Sequence, residues 1–255
     1  MPLEILTIPC LEDNYAFLAH DTATGTTALI DAPEADPILA ALSARGWSLD
    51  LVLLTHHHWD HVDGLPGLQA QHAPRIIGAA ADAHRLPALD QAVSEGDRVQ
   101  IGSATGSVLD VSGHTVGHVA FHFPDEQALF TADSLMALGC GRLFEGTPQQ
   151  MWASMQKLLP LPDDTIVYSG HEYTQSNARF AATIEPANAA LTARIAQIDA
   201  DRAAGRATVP SQLGLEKATN PFLRAHLSEV KQAINMPDAA DDAVFAEIRQ
   251  RKDTF

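Results

Sequence analysis

Two cysteines, Cys10 and Cys140, are all that this 255-residue chain carries. They cannot build a disulfide framework or a thiolate metal site, which fits a reducing compartment. Basic residues are also scarce, with 16 Lys and Arg against 32 Asp and Glu, a formal net charge of −16. That balance is a poor footprint for nucleic acid, whose binding depends on phosphate neutralisation by Lys and Arg. No apolar run approaches the roughly 18 residues of a membrane span. The start, Met1-Pro2-Leu3-Glu4-Ile5, lacks the basic n-region and apolar stretch of a secretory leader. No nucleic acid and no membrane are therefore expected as partners, and a cytoplasmic location is the expectation. What is present is a 46% hydrophobic composition, enough for a substantial core.

The most informative segment is Thr55-His56-His57-His58-Trp59-Asp60-His61, an HxHxDH array that follows the apolar run Leu49–Leu54. Such a run reads as a buried strand. In an extended segment alternate residues share a face, so His56 and His58 can converge on one metal. Asp60 and His61 lie past the strand end, where the chain turns toward a second metal. Imidazole and carboxylate suit zinc, iron or manganese. A solvated polar loop is the competing explanation, but four such ligands packed behind a buried strand rarely occur without a metal.

Four ligands do not complete a two-metal site. His114 in Ser112-Gly113-His114-Thr115, Asp133 in Phe130-Thr131-Ala132-Asp133 and His171 in Ser169-Gly170-His171 each follow or end a predicted strand. A single histidine there is more often structural. Together with the array, all three fit one site gathered at strand ends. His118 is open between a supporting role beside the ligands and an ordinary structural one.

Up to about residue 170 the chain alternates short apolar runs with turn signals. Strands are expected at 3–8, 15–19, 27–30, 49–54, 75–78, 98–101, 107–110, 118–123, 128–131 and 165–168. Helices are expected at 36–45, stopped by Gly46, and at 148–159. Beyond His171 an Ala-rich stretch predicts one helix over 178–204. A Pro- and Gly-marked linker over 208–221 follows, with Ser211 as a candidate cap, and a final helix is expected over 238–252. The pattern predicts an α/β fold, a mixed domain over 1–173 followed by a small helical domain over 174–255.

HxHxDH, then Gly-His-Thr, then Asp after a strand, then a late Gly-His resembles the metallo-β-lactamase superfamily. The resemblance narrows to glyoxalase II, the hydroxyacylglutathione hydrolases. Gly139-Cys140-Gly141-Arg142-Leu143-Phe144-Glu145-Gly146-Thr147, Gly170-His171-Glu172-Tyr173-Thr174, Asn220-Pro221-Phe222-Leu223-Arg224 and the terminal Arg249…Lys252-Asp253 carry it across nearly the whole chain. The resemblance implies an αββα sandwich with a helical C-terminal domain. It further implies two divalent ions, with zinc favoured over iron or manganese. The first would be held by His56, His58 and His114, the second by Asp60, His61 and His171, with Asp133 bridging. The implied reaction is hydrolysis of an S-(2-hydroxyacyl)glutathione such as S-D-lactoylglutathione, the second step of methylglyoxal detoxification, with Asp60 and Asp133 catalytic.

The same resemblance makes Arg142, Phe144, Tyr173, Arg249 and Lys252 contacts for glutathione. Its carboxylates need a local basic patch in so acidic a protein, and Arg249 and Lys252 share a face if the last segment is helical. Some relatives carry Lys and Tyr in place of Arg142 and Phe144, so Phe144 can contribute only backbone or packing. A lactonase or another thioesterase on the same fold would need no C-terminal basic pair. A nuclease is disfavoured by the charge. A persulfide dioxygenase would leave Asp60 and His171 without metal, and a di-iron electron carrier would need a flavin partner for which no motif exists. A non-catalytic module would not need all these ligands. A monomer is expected.

Overall fold

A computed structural model describes residues 3–255, which form two compact units: residues up to Asp110 together with Val116–Ala132, and Val111–Thr115 together with Asp133–Phe255. Among the described residues no helix is long and apolar enough to cross a membrane.

The first unit is built on two sheets. One runs β1 (Leu3–Cys10), β2 (Asn14–Asp21), β3 (Thr27–Ile30), β4 (Leu51–Leu54), β5 (Arg75–Ala79) and β6 (Gln91–Val93) in that spatial order. β1 to β3 pair antiparallel, whereas β3 to β6 are parallel. The helix α1 (Ala35–Arg45) connects β3 to β4, and the short helices α2 (Trp59–Val62) and α3 (Leu65–Gln69) connect β4 to β5. β4 reads Leu-Val-Leu-Leu and is buried at every position, as expected of a central parallel strand covered on both faces. On one face Ala16, Leu18, Leu29, Val52 and Leu54 pack against Ile38, Leu42, Leu65 and Leu68 of α1 and α3. Each such leucine contributes about 1.5–3 kcal/mol through burial. α1 stops at Gly46, whose left-handed conformation (φ 67°) lets its N–H reach the Leu42 and Ser43 carbonyls.

The other face meets a second sheet, an antiparallel meander of β7 (Arg98–Ile101), β8 (Ala104–Asp110), β9 (Val119–Phe123) and β10 (Ala128–Ala132). Phe17 of β2, alternating with Ala16 and Leu18, points to this side, and its ring lies 5.9 Å from that of Phe130. Helices on one face and a sheet on the other leave the strand ends free to carry function.

The second unit holds the two-stranded β11 (Leu135–Met136) and β12 (Gly139–Cys140), then α4 (Pro148–Leu158), β13 (Ile166–Ser169), α5 (Thr174–Ile184), α6 (Ala189–Ala203), β14 (Ser211–Gln212), α7 (Leu213–Thr219), α8 (Ser228–Ala233) and α9 (Asp241–Asp253). α4 begins with a reciprocal cap: Thr147 accepts from the Gln150 N–H while the Gln150 side chain accepts from the Thr147 N–H.

Two expectations are corrected here. The single helix over 178–204 is two helices, because Pro186 cannot donate into a helical ladder and disfavours the helical conformation of Glu185. Asn188 then caps the second of them through the Leu191 N–H. Ser211 does not cap a helix. It pairs with Val167 in β14, and Gln212 occupies the cap position of α7.

Candidate metal centre

In the first unit the HxHxDH array leaves β4 and enters α2 directly. His56 and His61 are fully buried. The rings of His56 and His58 lie 4.7 Å apart, and those of His56 and His61 lie 4.2 Å apart. His56 Nε2 and His58 Nδ1 approach to 3.2 Å. Two nitrogens bound to one tetrahedral ion at about 2.0–2.1 Å each would be about 3.3 Å apart, so the spacing suits a shared cation. His57, between them, points the other way. Its Nδ1 meets the buried carboxylate of Asp82 at 2.9 Å, and Arg85 holds the same carboxylate from the other side.

Hydrogen bonds assign the ring protons. Asp31 Oδ1 accepts the Thr55 N–H at 2.8 Å, and Oδ2 accepts the Thr55 hydroxyl at 2.8 Å and His61 Nδ1–H at 2.9 Å. With its only hydrogen given to Asp31, the Thr55 oxygen accepts from His56 Nδ1–H at 3.0 Å. Both His56 and His61 therefore present the Nε2 lone pair, the form in which imidazole ligates. Asp31, His56 and His61 offer ligand atoms within 4.8 Å of one another. Asn14 donates its amide to the Asp60 carbonyl at 3.1 Å and to Asp60 Oδ2 at 3.0 Å, fixing that carboxylate beside His61 Nε2, 3.8 Å away. His118 stacks on His56 with ring centroids 4.5 Å apart.

In the second unit Asp133 is the hub. Its Oδ2 lies 3.5 Å from His114 Nε2 and 3.2 Å from His171 Nε2, and all three residues are buried. His114 Nδ1–H donates to the Arg142 carbonyl at 2.7 Å, so Nε2 again carries the lone pair. A carboxylate oxygen facing an imidazole lone pair at this distance is the arrangement that a cation between them stabilises. The donor set of both clusters therefore fits divalent metal.

Two exposed aromatics flank the second cluster. Tyr173 lies flat on His171, with centroids 4.7 Å apart and planes 4° apart, and Phe144 packs edge-on against His114 at 5.4 Å. They remain 39% and 63% exposed. Arg142 is well exposed, with its guanidinium 5.9 Å from the Phe144 ring. On α9, Arg249 is buried and Lys252 half-buried. The Lys252 ammonium lies 5.3 Å from the Phe180 ring and 5.4 Å from that of Phe255. Burial, reinforced by the charge of Arg249, pulls its pKa below the usual lysine range. Cys140 is buried, which pushes its thiol up to about 11.

The supporting residues Asp31, Thr55 and Asn14 escape the sequence reading. Asp31 was within reach, because it follows the apolar β3 as Asp133 follows β10. Asn14 carries no such mark.

Comparison with known proteins decides the family. Residues 20–171 match the metallo-beta-lactamase superfamily, and residues 172–255 match the hydroxyacylglutathione hydrolase C-terminus. Hydroxyacylglutathione hydrolase from Ruegeria pomeroyi is 67% identical over all 255 residues, covering 100% of both chains. The chain belongs to the hydroxyacylglutathione hydrolase family. Solved structures confirm the metallo-β-lactamase fold. ETHE1 from Myxococcus xanthus aligns with a TM-score of 0.67 at 24% identity, covering 96% of this chain and 99% of its own. TTHA1623, solved in a di-iron-bound form, aligns at 0.62 and 25% identity, covering 86% and 99%. Within the hydroxyacylglutathione hydrolase family, the two His/Asp clusters and this fold together point to divalent metal ions.

Proposed function

We propose that this hydroxyacylglutathione hydrolase hydrolyses S-(2-hydroxyacyl)glutathione thioesters, S-D-lactoylglutathione among them, to glutathione and the free 2-hydroxy acid. The observation that carries the reading is the second cluster. Asp133 stands between two histidines, each backed by an exposed aromatic, so a substrate lying on Phe144 or Tyr173 lies beside ligand-bearing residues. Two divalent ions, zinc by preference, would be held by His56, His58 and His114 and by Asp60, His61 and His171, with Asp133 serving both. When bound, such a pair supplies Lewis acidity, making water nucleophilic near neutral pH and polarising a carbonyl.

The chain's own residues do the rest. Asp60, its Oδ2 anchored by Asn14, orients the attacking water toward the thioester carbon. Asp31 and the Arg142 carbonyl hold His61 and His114 in the ligating tautomer. The carbon–sulfur bond breaks to release a thiolate. A thiol has a pKa of about 8.5, so the leaving group needs no strong general acid. Residues 1–173 act as the catalytic domain and 174–255 as the substrate-binding domain. Arg142 and Lys252 are the accessible cations for glutathione carboxylates, and Phe144 contributes packing where a tyrosine would add a hydroxyl.

The test is kcat/KM for S-D-lactoylglutathione with purified, metal-loaded protein, before and after verified metal removal. A value of about 10⁴ M⁻¹s⁻¹ or more, lost on stripping and regained on zinc return, is the expected result. A negligible rate with both metals bound would move the substrate to lactones or other thioesters.

A further inference from the structure

Arg249 was expected to face a substrate carboxylate, yet its guanidinium is already engaged. Nη1 donates to the Cys140 carbonyl at 3.0 Å, while Nε and Nη2 reach Asp253 Oδ1 at 3.1 and 2.8 Å. The residue is only 6% exposed, and its cation lies 5.2 Å from the Phe222 ring.

The carbonyl it holds belongs to the segment Gly139–Arg142, which is pinned throughout. Asn220 Nδ2 donates to the Gly139 carbonyl at 3.0 Å, and the Gly141 N–H donates to the Ser134 carbonyl at 3.1 Å. At its far end the Arg142 carbonyl accepts from His114 Nδ1–H. Gly141 lies so close to the cluster that a Cβ there would fall 2.0 Å from the Asp133 carbonyl oxygen and 2.8 Å from His114 Nδ1. The segment is thus the floor on which His114 and Asp133 rest, and Arg249 ties that floor to α9.

We infer that Arg249 is a positioning residue for His114 and Asp133, acting through the backbone of Cys140–Arg142. The inference rests on reading those two residues as metal ligands. Arginine suits the task because one planar fork spans a carbonyl and a carboxylate at once, which a lysine ammonium cannot reproduce.

The experiment uses the full chain with Arg249→Met and Arg249→Lys. Zinc stoichiometry and affinity are read by competition with a chromogenic chelator. kcat and KM are read on S-D-lactoylglutathione and on an uncharged thioester of N-acetylcysteamine. The expected result is about 10–100-fold weaker binding of one zinc equivalent, the range for lost support of a metal ligand. A lowered kcat on both substrates and no rescue by Arg249→Lys should accompany it. Should Arg249→Met fail to fold, Arg249→Lys is judged by the same zinc and kcat readouts. Wild-type zinc affinity and uncharged-thioester kcat, with only the glutathione-thioester KM raised and Arg249→Lys restoring it, would overturn the inference. A wild-type protein that binds no zinc would instead refute the ligand reading beneath it.

Discussion

Replacing Asp31 with asparagine should separate metal binding from folding. Asp31 Oδ1 accepts the Thr55 N–H, and the amide oxygen of Asn can keep that bond. The amide nitrogen then takes the place of Oδ2, where the carboxylate accepts from both the Thr55 hydroxyl and His61 Nδ1–H. Thr55 can rotate its hydroxyl and accept. His61 can accommodate an N–H donor only by giving up its Nδ1 proton, which moves to Nε2 and removes the lone pair from the ligating nitrogen. Loss of such support typically costs 10–100-fold in metal affinity, or about 1.4–2.8 kcal/mol. The folding cost should be smaller, about 0.5–1.5 kcal/mol for one altered hydrogen bond. Asp31→Ala would add a penalty of about 1–3 kcal/mol for the Thr55 N–H left buried and unsatisfied. Chelator competition reads the zinc affinity, urea denaturation reads the stability, and nitrogen NMR of the zinc-free protein reads the tautomer. Two zinc equivalents held at wild-type affinity, with His61 still protonated at Nδ1, would refute the reasoning.

Three further outcomes are expected. Because the pKa of Lys252 is lowered, its charge and the affinity it brings should be lost as pH rises, earlier than for an ordinary lysine. The glutathione-thioester KM should climb at alkaline pH in the wild type but not in Lys252→Met, and identical KM–pH profiles would contradict this. Arg194→Met strands the fully buried Glu216 carboxylate, which also accepts from the Leu138 N–H and Asn220, and should cost about 3–5 kcal/mol in urea unfolding; a loss under about 1 kcal/mol would show the pair to be incidental. Asp21 accepts from the Ser103 N–H and hydroxyl, the Ala23 N–H and Thr24, which hold its pKa well below the usual carboxylate range. Its contribution is complete above its unfolded pKa of about 3.9 and lost as pH falls toward the lower native value, so Asp21→Asn should flatten the acid limb of a stability–pH curve; an unchanged limb would count against this account.

Much of the first unit was legible because its strands are short apolar runs closed by turn residues. The run before His56 is a central parallel strand, buried on both faces, and that is why it reads as unbroken Leu and Val. The candidate ligand residues stood out for a related reason: each follows such a strand. What escaped are features made by contacts distant in sequence. Asn14 reaches Asp60 across 46 positions, and Arg249 reaches Cys140 across 109. Nothing local marks Asn14, and Arg249 stood out only as part of a basic pair for substrate, not as a partner of Cys140. The break at Pro186 was visible, but the Ala-rich composition on both sides outweighed it. Gln91–Val93 was too short and mixed to stand out, and it is a strand because β5 supplies its partner.

Arg142 has two separate attachments. Its carbonyl serves His114, while its largely exposed guanidinium lies beside Phe144 and 3.8 Å from the Asp253 carboxylate. A carbonyl is common to all twenty residues, so substitution at this position changes the exposed side chain and leaves the hydrogen bond to the histidine in place. Under the role proposed for Arg142, substrate preference and the support of His114 can therefore drift independently at a single position. The neighbouring Gly141, wedged against Asp133 and His114, has no such latitude.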